Sequence, residues 1–268
     1  MDYNIFIGCD DMKKSVISAI VALAIFIPLT IIGGVWFKIA ACTLAVLGLK
    51  EFLELPHKNK RPVYVDIILY AFVILLTFME EKREIYYFLS VLTPMLMVIY
   101  CNDNKKYNAD EAFKLIGMTL LLGTIFHKFI VIRNDSLMKF IYLFMITIFT
   151  DTYAQFGGSL IGKHKLAPLI SPNKTWEGSI VGGIFGTLCA STFYYIFISS
   201  SVNVFFLLVV TFVLSTLGQL GDLFFSAVKR NHNIKDFSNI MPGHGGVLDR
   251  LDSIIFVVIG YILLSGII

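Results

Sequence analysis

Long uncharged apolar runs, separated by short clusters of charge, make up most of this chain. A helix that crosses a bilayer needs about 20 mainly apolar residues. Ser15–Phe37 supplies 23 residues without a charge. It is too long for a signal-peptide core and lacks a small-residue cleavage site after it, so it reads as an uncleaved first span. Further runs follow at Lys38–Leu53, Val63–Met79, Ile85–Tyr100, Leu115–Ile132 and Phe140–Gly158. Gly178–Gly221 holds no charge over 44 positions, which is too long for one span. Ser199–Ser201 and Asn203 divide it into a seventh and an eighth span. The ninth, Ser253–Ile268, has only 16 residues, about 24 Å of helix, and is expected to begin a turn earlier, near Leu248. The runs are continuous and do not alternate, so they predict helices and not the strands of a membrane barrel. The expected fold is all-α: a polytopic integral membrane helix bundle of about nine transmembrane helices.

Composition agrees with lipid as the solvent. Over 268 residues, 57% are hydrophobic and 15% charged, and the mean hydropathy is +0.78. An ordinary soluble chain is about 25% charged. The net charge of +3 is too small to argue for nucleic acid. Cys9, Cys42, Cys101 and Cys189 form no CxxC pair, which speaks against a zinc site or a disulfide framework. The placement of charge carries more than its sum. With the N-terminus in the cytoplasm, fifteen Lys and Arg fall in cytoplasmic segments and five on the other side, with Lys38 and Lys50 at the second span. The positive-inside rule therefore places both chain start and the polar loops of the second half in the cytoplasm. Residues 1–139 (spans 1–5) and 140–268 (spans 6–9 with their loops) form a single integral membrane unit, with the polar chemistry concentrated in the second part.

Two loop regions hold residues that neither lipid nor topology explains. They are Asp151 to Gly178 and Gly221 to Ser253. Asp249 and Asp252, three apart, share a helix face at the start of the last span. They suit either helix capping or a hard divalent cation, which takes carboxylate oxygens together with substrate phosphates. Asp222 closes the eighth span and is a further carboxylate. Asp151 interrupts an apolar run, and an ionisable group at membrane depth faces a cavity or a partner. Lys163, Lys165, Lys174, Lys229, Arg230, Lys235 and Arg250 suit phosphate, though loop lysines also serve topology and anionic headgroups. Gly243, Gly245 and Gly246 flank His244 and could bring backbone N–H groups to an anion. Carboxylates for a cation, basic groups for phosphates and apolar helices for a lipid together predict metal-assisted phosphoryl or nucleotidyl transfer to a lipid. Positioning and charge neutralisation carry such a reaction.

The 27 residues Ser226-x-Val228-Lys229-Arg230-x4-Lys235-Asp236-x-Ser238-x2-Met241-Pro242-x-His244-Gly245-Gly246-Val247-x-Asp249-Arg250-Leu251-Asp252 resemble the signature of the phosphatidate cytidylyltransferase (CDP-diacylglycerol synthase) family. Met241 stands where that family has Leu, Ile or Phe. Ser171-Pro-Asn-Lys-Thr-Trp-Glu-Gly178, Asp151 and Gly162-Lys-His-Lys-Leu166 match its upstream blocks, with departures at Gln155 and Ser159. The resemblance covers about residues 140–268. It implies an all-helical bundle with a cytosol-facing cavity in the cell membrane, acting on CTP and phosphatidate to give CDP-diacylglycerol and pyrophosphate. It implies Mg²⁺, with room for a second cation, held by Asp222, Asp249 and Asp252, with Asp236 a further candidate. Lys229, Arg230, Lys235 and Arg250 would neutralise phosphates, and His244 would contact one. Ser171, Lys174 and Thr175 would hold nucleotide or headgroup, with Asp151 beside them. A homodimer is compatible with the resemblance.

Two rivals remain. A CTP-dependent polyprenol or phytol kinase would share nucleotide, metal and membrane but move the γ-phosphate, and the His244–Asp252 run favours nucleotidyl transfer. An ion-coupled transporter would line its path with Asp151 and Asp222, but the inverted repeats of such proteins are not visible. A CDP-alcohol phosphotransferase lacks its Asp-x2-Asp-Gly-x2-Ala-Arg run here.

Overall fold

The chain is seen in a computed structural model, which describes residues 18, 20–56, 61–79, 83–101, 107–241, 243 and 245–267. Cys9, His244, Pro242 and the loop residues Lys13, Lys14, Lys58, Lys60, Lys82, Lys105 and Lys106 lie outside these. The described residues form nine α-helices: α1 (Ile20–Ile32), α2 (Gly34–Leu53), α3 (Val63–Phe78), α4 (Arg83–Cys101), α5 (Ala109–Asp135), α6 (Leu137–Ile161), α7 (Trp176–Phe197), α8 (Val204–Asn231) and α9 (Leu248–Leu264). Between α6 and α7 lies an antiparallel hairpin of β1 (Lys165–Ala167) and β2 (Ser171–Thr175). Five helices, α4 to α8, are long and apolar enough to cross a membrane. The protein is a multi-pass, all-helical membrane bundle. Large apolar side chains stand exposed on its outside, as lipid requires. Phe88, Ile99, Leu160, Phe205 and Leu263 are each at least 67% exposed.

The starts of α6, α7 and α8 follow from local capping chemistry. Asn203 caps α8 by accepting from the Phe205 and Phe206 amides. Ser136 caps α6 by accepting from the Lys139 amide. The α7–α8 break therefore falls where Ser199–Ser201 and Asn203 place it, and α9 begins at Leu248 as expected. The first span is the correction. Ser15–Phe37 is not one helix, because the chain breaks at Gly33 and not after Phe37. Gly33 and Gly34 both adopt positive φ, 68° and 56°, which ends α1 and starts α2.

The molecule divides into two compact units. One comprises residues 1–131 and 237–247, the other 132–236 and 248–268. The segment 237–247, in the C-terminal region by sequence order, thus groups with the first unit.

In the first unit α2 packs on α3, and α3 on α4. Gly123 of α5 lets Leu76 of α3 approach so closely that a Cβ would lie 2.6 Å away. The buried His127 sets its Nδ1 3.2 Å from the Thr77 carbonyl and is a structural tie. Arg61, nearly buried, pairs with Glu111 at 2.6 Å and Asp66 at 3.3 Å and donates to the Leu53 carbonyl. It thereby joins the end of α2 to the starts of α3 and α5. The Tyr107 hydroxyl donates to the Pro94 carbonyl, and burial followed by the nearby Glu111 pushes it up to about 12, so it stays protonated.

The second unit is built on small residues. Gly178, Gly182 and Gly186 of α7 recur every four residues along the face that meets α6. A Cβ at Gly178 would lie 2.6 Å from the Ala154 carbonyl, and one at Gly182 2.5 Å from that of Thr150. Lipid offers no hydrophobic drive to bring helices together, so close backbone packing of this kind supplies it. Hydroxyls tie α6 to α8: Tyr142 to Thr211 and Thr150 to Ser215, each at 2.7 Å. Ser179 donates to Gln219 Oε1, and Gln219 returns a bond to the Ser179 carbonyl. Each such bond contributes about 0.6 kcal/mol on average in a membrane.

Candidate functional site

Asp151 stands ten residues before the end of α6, about 15 Å along the helix. Asp222 stands nine residues before the end of α8, and Asp252 four residues past the start of α9. The close packing of α6, α8 and α9 brings these three carboxylates within electrostatic reach of one another. Gly221 allows it: a Cβ there would lie 2.7 Å from the Asp252 carbonyl and 2.9 Å from the Phe256 side chain. Asp252 is 8% exposed, and its Oδ1 accepts from the Ser253 amide at 2.7 Å. Asp151 is exposed on the surface of α6.

Two lysines answer these charges. Lys174, from β2, contacts the Asp222 carboxylate, whose other oxygen accepts from Ser226 at 3.3 Å. Lys229 is 8% exposed and reaches Asp249 Oδ1 at 2.6 Å. Asp249 and Asp252 therefore part company despite their shared spacing. Asp249 pairs directly with Lys229, while Asp252 makes no ion pair of its own among the described residues and lies within electrostatic reach of Asp222, Lys229 and Asp151. Asp236 is exposed after α8 and is not among the charges felt at Asp151 or Asp252.

The remaining expected residues separate by what they touch. Thr175 is buried and caps α7, accepting from the Gly178 amide at 3.2 Å, so its hydroxyl positions the helix. Ser171 begins β2, half-buried on the strand that carries Lys174. Arg230 donates to the Ile170 and Ile234 carbonyls, tying the hairpin and the loop after α8 to its own helix. Lys235 is exposed in that loop, and Arg250 is exposed on the first turn of α9. Gln155 and Ser159 are exposed on α6, where the Ser159 hydroxyl bonds only back to the Phe156 carbonyl within its own helix.

Two carboxylates outside the expected set prove informative. Glu177, in the first turn of α7, accepts from the Lys163 and His164 amides at 3.1–3.3 Å and lies 2.6 Å from His164 Nδ1. It closes the turn leading into the hairpin. Glu51, fully buried near the end of α2, accepts from Ser238 Oγ at 2.6 Å and the Val247 amide at 2.7 Å. The sequence signal for Glu51 is the one that singles out Asp151, a carboxylate set in an apolar run.

Among the described residues no three of His, Cys, Asp and Glu stand close enough to grip a metal ion. The donor chemistry still suits a hard cation: carboxylate oxygens only, with Asp252 nearly buried.

A bundle of apolar helices that holds carboxylates within its spans and sets lysines against them is, in class, a polytopic membrane enzyme. The chain belongs to the cytidylyltransferase family, whose sequence model matches residues 13–267. It is 36% identical over 253 residues to a phosphatidate cytidylyltransferase of Staphylococcus haemolyticus, covering 92% of this chain and 96% of the relative. The values for that enzyme from Staphylococcus aureus are the same. For the Staphylococcus epidermidis enzyme the identity is 37% over 251 residues.

Proposed function

We propose that this chain transfers the cytidylyl group of CTP to phosphatidate, giving CDP-diacylglycerol and pyrophosphate. The observation that carries the reading is the packing of α6, α8 and α9, which carry Asp151, Asp222 and Asp252, with Lys174 on the Asp222 carboxylate, in a chain of this family. A phosphatidate oxygen attacks the α-phosphorus of CTP, the bond to the bridging oxygen breaks, and pyrophosphate leaves. A phosphomonoester is already anionic at neutral pH, with a second pKa of about 6, so no strong base is needed. Lys174 and Lys229 are cations fixed at the carboxylates, placed to neutralise charge that builds on the phosphates. Arg250 and Lys235, exposed nearby in sequence, add to the field, with His244 a further phosphate contact. Thr175 acts through the cap that holds β2 and Lys174 in place, and Ser171 lies on the same strand.

Mg²⁺ would be held by Asp222 and Asp252 together with substrate phosphate oxygens, with Asp249 steadying Lys229. Such an ion polarises phosphoryl oxygens and neutralises the leaving group. The chain start and the loops of the second half face the cytoplasm, on the strength of the basic-residue asymmetry. Purified protein given phosphatidate and CTP labelled at either the α- or the γ-phosphate tests the reaction. Label from the α-position should enter the lipid. Entry of γ-label alone would mean a kinase, and liposome ion flux without CTP turnover would mean a transporter.

A further inference from the structure

Glu51 is a fully buried carboxylate in the half of the chain that the reaction does not otherwise use. Its Oε1 accepts from the Ser238 hydroxyl at 2.6 Å and from the Val247 amide at 2.7 Å, nearly two hundred residues downstream. Between those anchors Met241 and Gly245 bridge, the Met241 amide donating to the Gly245 carbonyl at 3.0 Å. Gly243 and Gly245 turn the chain with φ of 77° and 80°. Gly246 does not have positive φ and is a glycine for a different reason. A Cβ there would lie 2.5–2.6 Å from the Glu51 carboxylate oxygens and carbon. The anion that this glycine-rich loop wraps is the protein's own. Arg61 secures the turn that carries Glu51 by holding the Leu53 carbonyl and the Asp66 and Glu111 carboxylates.

We propose that Glu51 is a positioning residue for cytidylyl transfer: it clamps the loop 237–247 at both ends. Val247 is the last residue before α9, so the chain runs from the clamp straight into Asp249 and Asp252. The assignment rests on the transfer reaction proposed above for its catalytic consequence, and on geometry alone for the clamp. It gives the N-terminal half a task beyond spanning. Its end fixes the loop that leads into the site.

The test pairs kinetics with amide hydrogen exchange in detergent or nanodiscs. Glu51→Ala should speed exchange at Val247 and its loop about tenfold or more, the effect of losing a buried hydrogen bond. The transmembrane helices should exchange as before. Its kcat should fall on the order of a hundredfold, as for a misplaced catalytic group, with the KM for CTP little changed. Glu51→Gln keeps an oxygen acceptor for both donors and should restore most of the protection and turnover. Gly246→Ala should loosen the loop by itself and add nothing to Glu51→Ala. If Glu51→Ala does not insert, Gly246→Ala and Ser238→Ala read the same exchange. Unchanged exchange at 237–247 in these variants, or an equal rise across all helices, overturns the clamp. The exchange arm uses no substrate. Inactive wild-type protein would refute the reaction, whereas unaltered loop protection would refute the role of Glu51.

Discussion

Lys229 and Asp249 form an ion pair at 2.6 Å with side chains 10% and 4% exposed. At an effective dielectric of about 20, unit charges that close attract by roughly 6 kcal/mol. Desolvation costs several kcal/mol for each ion, so the intact pair is close to neutral for stability. Removing one partner is another matter, because the burial cost stays and the attraction goes. Lys229→Met should therefore destabilise by about 3–5 kcal/mol. At about 2–4 °C per kcal/mol for a chain of this size, the midpoint should drop by roughly 6–20 °C. Lys229→Met with Asp249→Leu removes both charges and should recover most of that loss. Neither variant should make CDP-diacylglycerol at more than a trace, since the lysine's charge is absent from both. Thermal unfolding of purified protein in one detergent, alongside a CTP turnover assay, measures both effects. A double variant as unstable as Lys229→Met would mean that the pair is not coupled. Full turnover by either would remove Lys229 from the reaction.

Three other substitutions test the helix seams and the hairpin. Gly182→Ala gains about 1 kcal/mol of helix propensity but drives a Cβ within 2.5 Å of the Thr150 carbonyl. Overpacking costs about 1–3 kcal/mol, so a net fall in thermal midpoint is expected, and a rise would refute the tight α6–α7 contact. Gly221→Ala presses on the Asp252 carbonyl at 2.7 Å. It should cut turnover on the order of a hundredfold through misplacement, and wild-type activity would show that this approach is not needed. Glu177→Ala frees the Lys163 and His164 amides and should speed proteolysis within 162–170, while unchanged cleavage would show that the carboxylate does not hold that turn.

The apolar runs made α3 to α7 and α9 legible to within about six residues, because lipid punishes any polar break, but α8 does not close at Asp222 as expected and continues to Asn231. Asn203 and the serines before it marked the α7–α8 boundary through capping chemistry. The Gly33 break was not legible, since two glycines in an apolar run read equally well as a continuous span until their φ values are known. The carboxylates were visible as residues, but not their partners. A spacing of three says that Asp249 and Asp252 share a face, and only packing reveals that Asp249 takes Lys229 in a buried ion pair while Asp252 does not. Glu51 escaped for a similar reason. Its donors lie nearly two hundred residues away, and no local pattern records a contact of that range.

Cytidylyl transfer is proposed to take place at Asp151, Asp222 and Asp252. The direct measurement is transfer of α-labelled CTP phosphate to phosphatidate in liposomes, by wild type and by Asp151→Asn, Asp222→Asn and Asp252→Asn, across a Mg²⁺ titration. Wild type is expected to label the lipid only when Mg²⁺ is present. Each variant, though inserted normally, should lose transfer on the order of a hundredfold or more. Near-wild-type transfer by Asp222→Asn and Asp252→Asn at limiting Mg²⁺ would contradict the proposal.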